Sequence, residues 1–316
     1  MDTDPPTRTP PNWLRIAPFA FLALWSGGYA SAKIGLKHAE PITFLSMRFA
    51  IVLLLMLPLA LILRPSLPKR AIAWWHMAFV GFLIQVVYFG LSYYAFASGV
   101  SAGGVAIIVS MQPIIVGLAA PWLNGERVGG LRWLGLLLGL AGSAGVILAR
   151  STVAIENPFG VVFAITALAG ISIASLYEKR FATGEHPIIV NLVQYAVGLA
   201  GTLPIAYATE TMHVTWANEL GVALAYLAIG NSILAVTLLL TMIRHGEVAR
   251  VSALLYLVPP GAAFIAYGLL GEVIPPWGWA GMAAAAFGVY LASRPQLPPA
   301  SASSSDHAAT APTKEP

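Results

Sequence analysis

The chain has 316 residues, of which 58% are hydrophobic and only 9% are charged. A water-soluble protein of this length needs more polar surface, so the composition excludes a soluble globule and predicts an integral membrane protein. The absence of cysteine excludes disulfides, thiolate metal sites and cysteine nucleophiles, while the net charge of +4 is explained by orientation in a membrane and gives no reason to expect nucleic acid as a partner.

Ten apolar segments follow one another along the chain, separated by short connectors that carry proline, glycine or charged residues. A helix needs about 20 apolar residues to cross the hydrocarbon core and satisfies its own backbone there. We therefore predict an all-α polytopic membrane protein. Its ten transmembrane helices are expected at residues 16–36, 42–63, 73–97, 102–124, 130–149, 158–178, 187–208, 219–243, 249–270 and 276–293.

The ends of the chain and the connectors predict its orientation. Residues 1–12 and 295–316 are rich in Pro, Ser, Thr and Ala and are predicted to be disordered tails. Basic connectors stay in the cytoplasm, and a cytoplasmic N-terminus leaves only Lys33, Lys37 and Arg150 outside. Both termini are then cytoplasmic, at a bacterial inner membrane. The basic residues placed inside are Arg8, Arg15, Arg64, Lys69, Arg70, Arg127, Arg132, Lys179, Arg180, Arg244, Arg250 and Arg294.

The two halves of the chain repeat each other at a constant offset of 146 residues. This offset joins Pro113 to Pro259 and Gln85 to Asn231 without a gap. The register predicts a tandem duplication of a five-helix unit, with repeats over residues 13–150 and 151–294. Because five is odd, the second unit must enter the membrane from the opposite side, which predicts inverted repeats about an axis in the membrane plane.

Three motifs carry a resemblance to a known family. They are "LWSGGYASAK" in the first segment, "EPITFLSMRF" at the start of the second, and a mid-helix proline followed by "NGE" or "LGE". With the paired units, they make the chain resemble the EamA family of the drug/metabolite transporter superfamily, in particular YddG-type exporters of aromatic amino acids. The resemblance implies ten helices and alternating access around a cavity between the two halves.

Pro113 and Pro259 are the first candidate functional residues. Each falls near the middle of an apolar segment, where proline removes a backbone hydrogen bond and clashes with the preceding turn. The freed carbonyl groups are tolerated at this depth if they face protein or a water-filled cavity. A static packing kink is the alternative, but the symmetric positions favour a hinge or cavity role. The Gly125-Glu126 and Gly271-Glu272 pairs that follow are interpreted as helix stops.

Polar and aromatic residues near the helix centres form the candidate substrate site. Gln85 and Asn231 are interpreted either as interhelical hydrogen-bonding groups or as substrate ligands at the membrane midplane. Aromatic rings beside them would suit an apolar or aromatic solute. The residues proposed for substrate binding are Trp25, Tyr29, Gln85, Tyr88, Gln112, Asn231 and Tyr256.

Arg48 is a charge about two turns inside the second segment. A charge there needs a partner or water, so Arg48 could snorkel outward, tether the loop residue Glu40 or attract a substrate carboxylate. The structural tether is the favoured interpretation because the position repeated from Arg48 is Gln194.

The predicted function is secondary transport. The chain contains no combination of residues that indicates an enzyme, and no cofactor or metal site is expected. We predict export of amino acids or related metabolites by facilitated diffusion, since no carboxylate falls at a helix centre. A proton-coupled antiporter and a lipid flippase or scramblase remain alternatives, and the small residues of the fifth and tenth segments leave a homodimer open.

Overall fold

A computed structural model describes residues 16–100, 102–124, 128–150, 158–181, 184–245, 248–270 and 274–294. The two predicted tails and both Gly-Glu pairs lie outside these ranges. The described residues are almost wholly helical. The helices, labelled in chain order, are α1 (Ala17–Gly35), α2 (Pro41–Leu63), α3 (Ala71–Ala97), α4 (Ala102–Val109 and Gln112–Asn124), α5 (Gly130–Arg150), α6 (Pro158–Phe181), α7 (Pro187–Thr209), α8 (Asn218–His245), α9 (Val248–Ala253, Leu254–Leu257 and Val258–Leu270) and α10 (Pro276–Ser293).

Six of these helices are long and apolar enough to cross a membrane, judged over the described residues only. They are α2, α3, α5, α6, α7 and α8, and α1, α4 and α9 contain shorter apolar stretches. Many large apolar side chains on their outer surfaces are exposed, such as Leu61, Ile62 and Tyr207. Such a surface is stable in lipid and not in water. The chain is therefore an all-helical membrane protein.

Proline starts several of these helices at equivalent positions. Pro41 begins α2 and Pro187 begins α7, and the preceding residues Glu40 and His186 are extended, with ψ angles of 151° and 131°. Proline at the first helical position loses no hydrogen bond and holds the residue before it out of the helix. The repeated prolines thus set the N-termini of α2 and α7.

Helices α4 and α9 are interrupted at equivalent positions. The break in α4 follows Val109 and the 3₁₀ segment of α9 is Leu254–Leu257. Pro113 and Pro259 lie just after these breaks, where they remove backbone donors. In α9 the next residue is also proline, so the Tyr256 carbonyl has no amide four residues on, and Ser143 Oγ donates to it instead at 2.9 Å.

Helices α3 and α8 share a different irregularity. Phe82–Gly90 in α3 and Tyr226–Ala235 in α8 are π-helical. The offset of 146 nearly superimposes the two segments, and they contain Gln85 and Asn231. Such segments are rare and often occur at functional sites. The two repeats therefore share a local widening of the helix around the paired polar residues.

Several contacts between helices occur in symmetric pairs in the two repeats. Helix α2 packs on its counterpart α7, and α5 packs on its counterpart α10. The α1–α8 contact matches the α6–α3 contact, and the α1–α9 contact matches the α6–α4 contact. Exchanging the two repeats therefore preserves these contacts, whereas the α5–α9 contact has no equivalent of similar extent between α10 and α4 in the described residues.

Glycines at the α5–α10 contact show that the two helices are related as if by a two-fold axis. A Cβ on Gly135 would lie 2.6 Å from the Gly288 carbonyl oxygen, and a Cβ on Gly281 would lie 2.9 Å from that of Gly142. Gly281 and Gly288 are the equivalents of Gly135 and Gly142, so equivalent residues exchange partners, as they do across a two-fold axis. Residue numbers rise along α5 as they fall along α10, so these two counterparts are antiparallel.

Candidate functional site

A small cavity lies between α1, α2, α3, the first part of α4 and α8. Its volume is about 40 Å³, enough for a few water molecules and too small for an amino acid. Most of its lining is apolar or aromatic, with a few polar groups. The lining residues are Trp25, Gly28, Ala32, Arg48, Tyr88, Phe89, Ser92, Tyr93, Phe96, Val105, Val109, Leu227 and Asn231.

Arg48 brings a positive charge to this cavity. The residue is only 1% exposed, and a charge at the centre of a membrane helix costs about 2.5–3.5 kcal/mol on insertion scales. Its Nε donates to Ser232 Oγ and its Nη2 to Asn231 Oδ1, both at 2.7 Å. The guanidinium carbon lies 4.6 Å from the centre of the Phe89 ring. All of these partners are neutral, so they solvate the charge without cancelling it.

Arg48 does not form the tether to Glu40 that the sequence analysis favoured, because its partners are Ser232 and Asn231. Glu40 instead accepts a hydrogen bond from Thr211 Oγ1 at 2.9 Å. Because Arg48 bonds to Asn231 and Ser232, it joins α2 of the first repeat to α8 of the second.

Asn231 is held by close helix packing. A Cβ on Gly28 of α1 would lie 2.6 Å from Asn231 Nδ2, so only glycine leaves room for the amide at its observed position. On α7, the Tyr195 hydroxyl donates to the Ser232 carbonyl at 2.9 Å. Contacts from α1, α2 and α7 therefore fix the part of α8 that meets Arg48.

Aromatic rings form one wall of the cavity. The Phe89 ring centre lies 6.2 Å from that of Trp25 and 4.8 Å from that of Tyr88. Rings at such distances pack favourably with each other and with an apolar or aromatic ligand. The described lining thus combines the Arg48 cation with an aromatic surface.

The structure brings some of the predicted substrate-binding residues together and separates others. Trp25, Tyr88 and Asn231 line the same cavity as Arg48. The side chain of Tyr29 lies outside the described part of the structure.

Gln85, Gln112 and Tyr256 are buried away from the cavity. Gln85 lies between α3 and α7, where a Cβ on Gly198 would be 2.7 Å from its Cβ. Neither amide atom of Gln85 makes a hydrogen bond with the described residues, although the Tyr195 hydroxyl lies beside it. The other two belong to neighbouring helix contacts. Gln112 Nε2 donates to Ser175 Oγ at 3.1 Å, and the Tyr256 ring packs on Gly139.

Pro113 is buried and Pro259 is half-buried, and neither lines the cavity. Val105 and Val109, which precede the break in α4, contribute to the lining, whereas no described residue of α9 does. The hinge role of the two prolines stays a prediction.

Several lining residues were missed by the sequence analysis. Phe89, Ser92, Tyr93 and Phe96 all lie on α3 with Tyr88. Tyr88, Ser92 and Phe96 are spaced by four residues, which places them on one helix face. Continuing the helical spacing from Tyr88 would have found this face.

An open depression lies at one end of the protein, next to the cavity. Its volume is about 710 Å³, and its lining comes mainly from the α1–α2 and α7–α8 connections. Phe96 lines both the depression and the cavity. The Phe96 side chain therefore stands between an accessible space large enough for a small metabolite and the Arg48 site.

The same end is held together by hydrogen bonds between the repeats. The Glu210 carboxylate accepts from the backbone amides of Ile42 and Thr43 at 2.8 and 2.7 Å. Thr215 N also donates to the His38 carbonyl at 2.7 Å. A carboxylate at the start of a helix satisfies free amide groups and favours the helix dipole. Glu210 thus caps α2 from the end of α7.

An ion pair joins helices at the opposite end. Glu178 in the last turn of α6 accepts from Arg244 Nε of α8 at 2.7 Å, and Arg244 Nη1 donates to the Glu185 carbonyl at 3.0 Å. Both side chains of the pair are largely buried. No cluster of three metal-ligating residues occurs in the described ranges.

Comparison with known proteins identifies the chain at the level of a family. The EamA-like transporter family model matches residues 13–148 and again residues 158–294. An Escherichia coli (strain K12) protein named "Uncharacterized inner membrane transporter YedA" is 25% identical over 275 residues, covering 86% of this chain and 88% of that protein. The "Probable terminal-alkyne amino-acid exporter" of Streptantibioticus cattleyicolor is 27% identical over 205 residues, covering 63% and 66%. A crystal structure with 20% sequence identity covers 89% of this chain and 96% of its own, with a TM-score of 0.76, which shows the shared fold.

Proposed function

The chain belongs to the EamA-like transporter family, and from this membership we propose that it exports amino acids with aromatic or other hydrophobic side chains. The observation that carries the proposal is the cavity in which Arg48 and Asn231 meet the rings of Trp25, Tyr88 and Phe89. An amino acid offers a charged end to the polar groups and an apolar side chain to the rings. One similar protein is named as an amino-acid exporter, which supports the same solute class.

Transport by this site requires a change of conformation. A cavity of about 40 Å³ cannot enclose an amino acid, so the site must widen when the solute enters. The interrupted helices α4 and α9 provide places where the two repeats can bend. We propose alternating access, in which Phe96 and the Glu178–Arg244 ion pair close opposite ends of the pathway.

The proposed topology is ten spans in two inverted repeats, with both termini in the cytoplasm of a bacterial inner membrane. The antiparallel α5–α10 contact supports inversion, and the name of the Escherichia coli relative supports this membrane. The chain contains no cysteine, so single cysteines report orientation cleanly. In whole cells a membrane-impermeant thiol reagent should label His213→Cys and spare Ser66→Cys. The reverse labelling would contradict the orientation.

Counterflow in proteoliposomes tests the proposed function. Vesicles loaded with unlabelled phenylalanine should accumulate external radiolabelled phenylalanine transiently and saturably, and vesicles without protein should not. Movement of labelled lipid without amino-acid exchange would instead favour a flippase.

Proton coupling is the second candidate, because Glu178 is a buried carboxylate. Facilitated transport predicts that neither the wild type nor Glu178→Gln accumulates the solute when a pH gradient is imposed. An antiporter that uses Glu178 would lose gradient-driven accumulation in this variant.

A further inference from the structure

We infer that Arg48 binds the carboxylate of the transported solute, so that a free carboxylate is required for recognition. This inference rests on the proposed function, because it names the chemical group that the same cavity selects. The solute class is a carboxylate joined to an apolar or aromatic body.

The positive charge of Arg48 has no counter-charge among the described residues. Arg48 is buried, and its hydrogen-bonding partners Ser232 and Asn231 are neutral. The Tyr93 and Tyr195 hydroxyls, which also face the guanidinium, are neutral as well. No carboxylate of the described residues pairs with Arg48. A buried cation without a counter-charge is costly, and a bound carboxylate would offset part of that cost.

Arg48 also has more N–H donors than its neighbouring side chains use. A guanidinium has five N–H groups in a planar fork that matches a carboxylate. Ser232 and Asn231 each take one of them, and the Tyr93 and Tyr195 hydroxyls beside the guanidinium can take at most two more. Arg48 also lines the cavity. At least one donor therefore remains for a ligand that enters it.

A separate polar group points to the same ligand. Ser92 Oγ is buried, lines the cavity and has no hydrogen-bond partner among the described residues. An unsatisfied buried hydroxyl is unfavourable, and a ligand carboxylate or amino group would satisfy it. Ser92 lies on α3 between Tyr88 and Phe96, so it reaches the cavity from the aromatic wall.

The charge of Arg48 also makes the site asymmetric between the two repeats. The position equivalent to Arg48 in the second repeat is Gln194, which is buried and uncharged. Of this pair of equivalent positions, therefore, only the one in the first repeat supplies a cation to the cavity. A solute with one carboxylate and an apolar body fits this asymmetry, with its body against Trp25 and Phe89.

Four ligands with the same aromatic ring test separately the need for a carboxylate and the need for an amino group. Phenylalanine carries both charged groups, and 3-phenylpropionate carries only the carboxylate. Phenylalaninamide and phenethylamine carry only the amino group. In the wild type, the two carboxylates should inhibit phenylalanine counterflow, and the two amines should inhibit it about tenfold to hundredfold less strongly, which is the range for losing a charged hydrogen bond.

Substitutions at position 48 test whether Arg48 causes this preference for carboxylates. Arg48→Gln should lose the difference between carboxylates and amines, whereas Arg48→Lys should retain part of it because it keeps the charge without the fork. Lys69→Gln, at an exposed position in the α2–α3 connection, is the control and should keep the wild-type pattern. If Arg48→Gln does not fold, Arg48→Lys and the wild-type ligand series still decide the question.

Thermal shifts of the purified protein separate this inference from the proposed function. If phenylalanine counterflow is absent, the proposed function fails, and ligand binding then tests Arg48 alone. Stabilisation of the wild type by 3-phenylpropionate, lost in Arg48→Gln, would still support the inference. It is overturned if phenylalaninamide competes as well as phenylalanine, if Arg48→Gln keeps the selectivity, or if no carboxylate stabilises the wild type.

Discussion

Replacing Gly28 by alanine should weaken transport by moving one hydrogen-bonding group. The new methyl group would lie 2.6 Å from Asn231 Nδ2, so the amide must retreat by roughly 1 Å to reach van der Waals contact. The Arg48–Asn231 hydrogen bond is 2.7 Å long. A displacement of this size away from Arg48 would lengthen it beyond the limit of a hydrogen bond.

The expected magnitude follows from that one contact. A hydrogen bond to a charged group contributes about 1.5–3 kcal/mol, which corresponds to roughly a tenfold to hundredfold change. We therefore expect the rate of phenylalanine counterflow at low substrate concentration to fall by about this factor in Gly28→Ala. The helix itself should not be weakened, because alanine is the better helix former by about 1 kcal/mol.

Counterflow and thermal denaturation should be measured on the same preparations. Gly221→Ala is the matched control, since it adds the same methyl group to α8 at an exposed position where nothing lies within 4 Å. Transport by Gly28→Ala at the wild-type rate would refute the reasoning. A large loss of thermal stability in Gly28→Ala would attribute any defect to folding and not to Asn231.

Three further changes test other parts of the account. Phe96→Ala should increase labelling of a cysteine placed in the cavity by a reagent added from the α1–α2 side, and unchanged labelling would contradict a barrier there. Gly142→Val should lower the melting temperature, since overpacking costs about 1–3 kcal/mol and the new Cβ would be 2.3 Å from a backbone nitrogen. Gly145→Ala, whose nearest neighbour is 3.7 Å away, should not. Glu178→Gln should also lower the melting temperature, because breaking a buried ion pair costs about 3–5 kcal/mol. Adding Arg244→Gln to the same chain should restore part of the loss. An unchanged melting temperature in Glu178→Gln would contradict a structural ion pair.

The repeat was the most informative feature of the sequence. A constant offset of 146 residues, read from Pro113 and Pro259, anticipated the equivalent breaks in α4 and α9. It worked because proline has a local effect on a helix that does not depend on its neighbours. The π-helical segments around Gln85 and Asn231 carry no comparable local signal, so they were not predicted.

The composition of the site was harder to predict than the fold. Gln85 and Asn231 occupy equivalent positions, yet only Asn231 lines the cavity. The difference arises from their neighbours, because Arg48 lies beside Asn231 while its equivalent Gln194 carries no charge. Packing between helices far apart in sequence decides which member of a symmetric pair faces the cavity, and local sequence patterns do not reveal that packing.

Protection of a single cysteine in the cavity tests the central claim most directly. The chain has no cysteine of its own, so Ser92→Cys can be labelled in an otherwise unchanged protein, with the buried Ser172→Cys as a control outside the cavity. We predict that phenylalanine slows the reaction of a small thiol reagent at position 92 and has no effect at position 172. Equal reaction rates at position 92 with and without aromatic amino acids would contradict a substrate site beside Arg48.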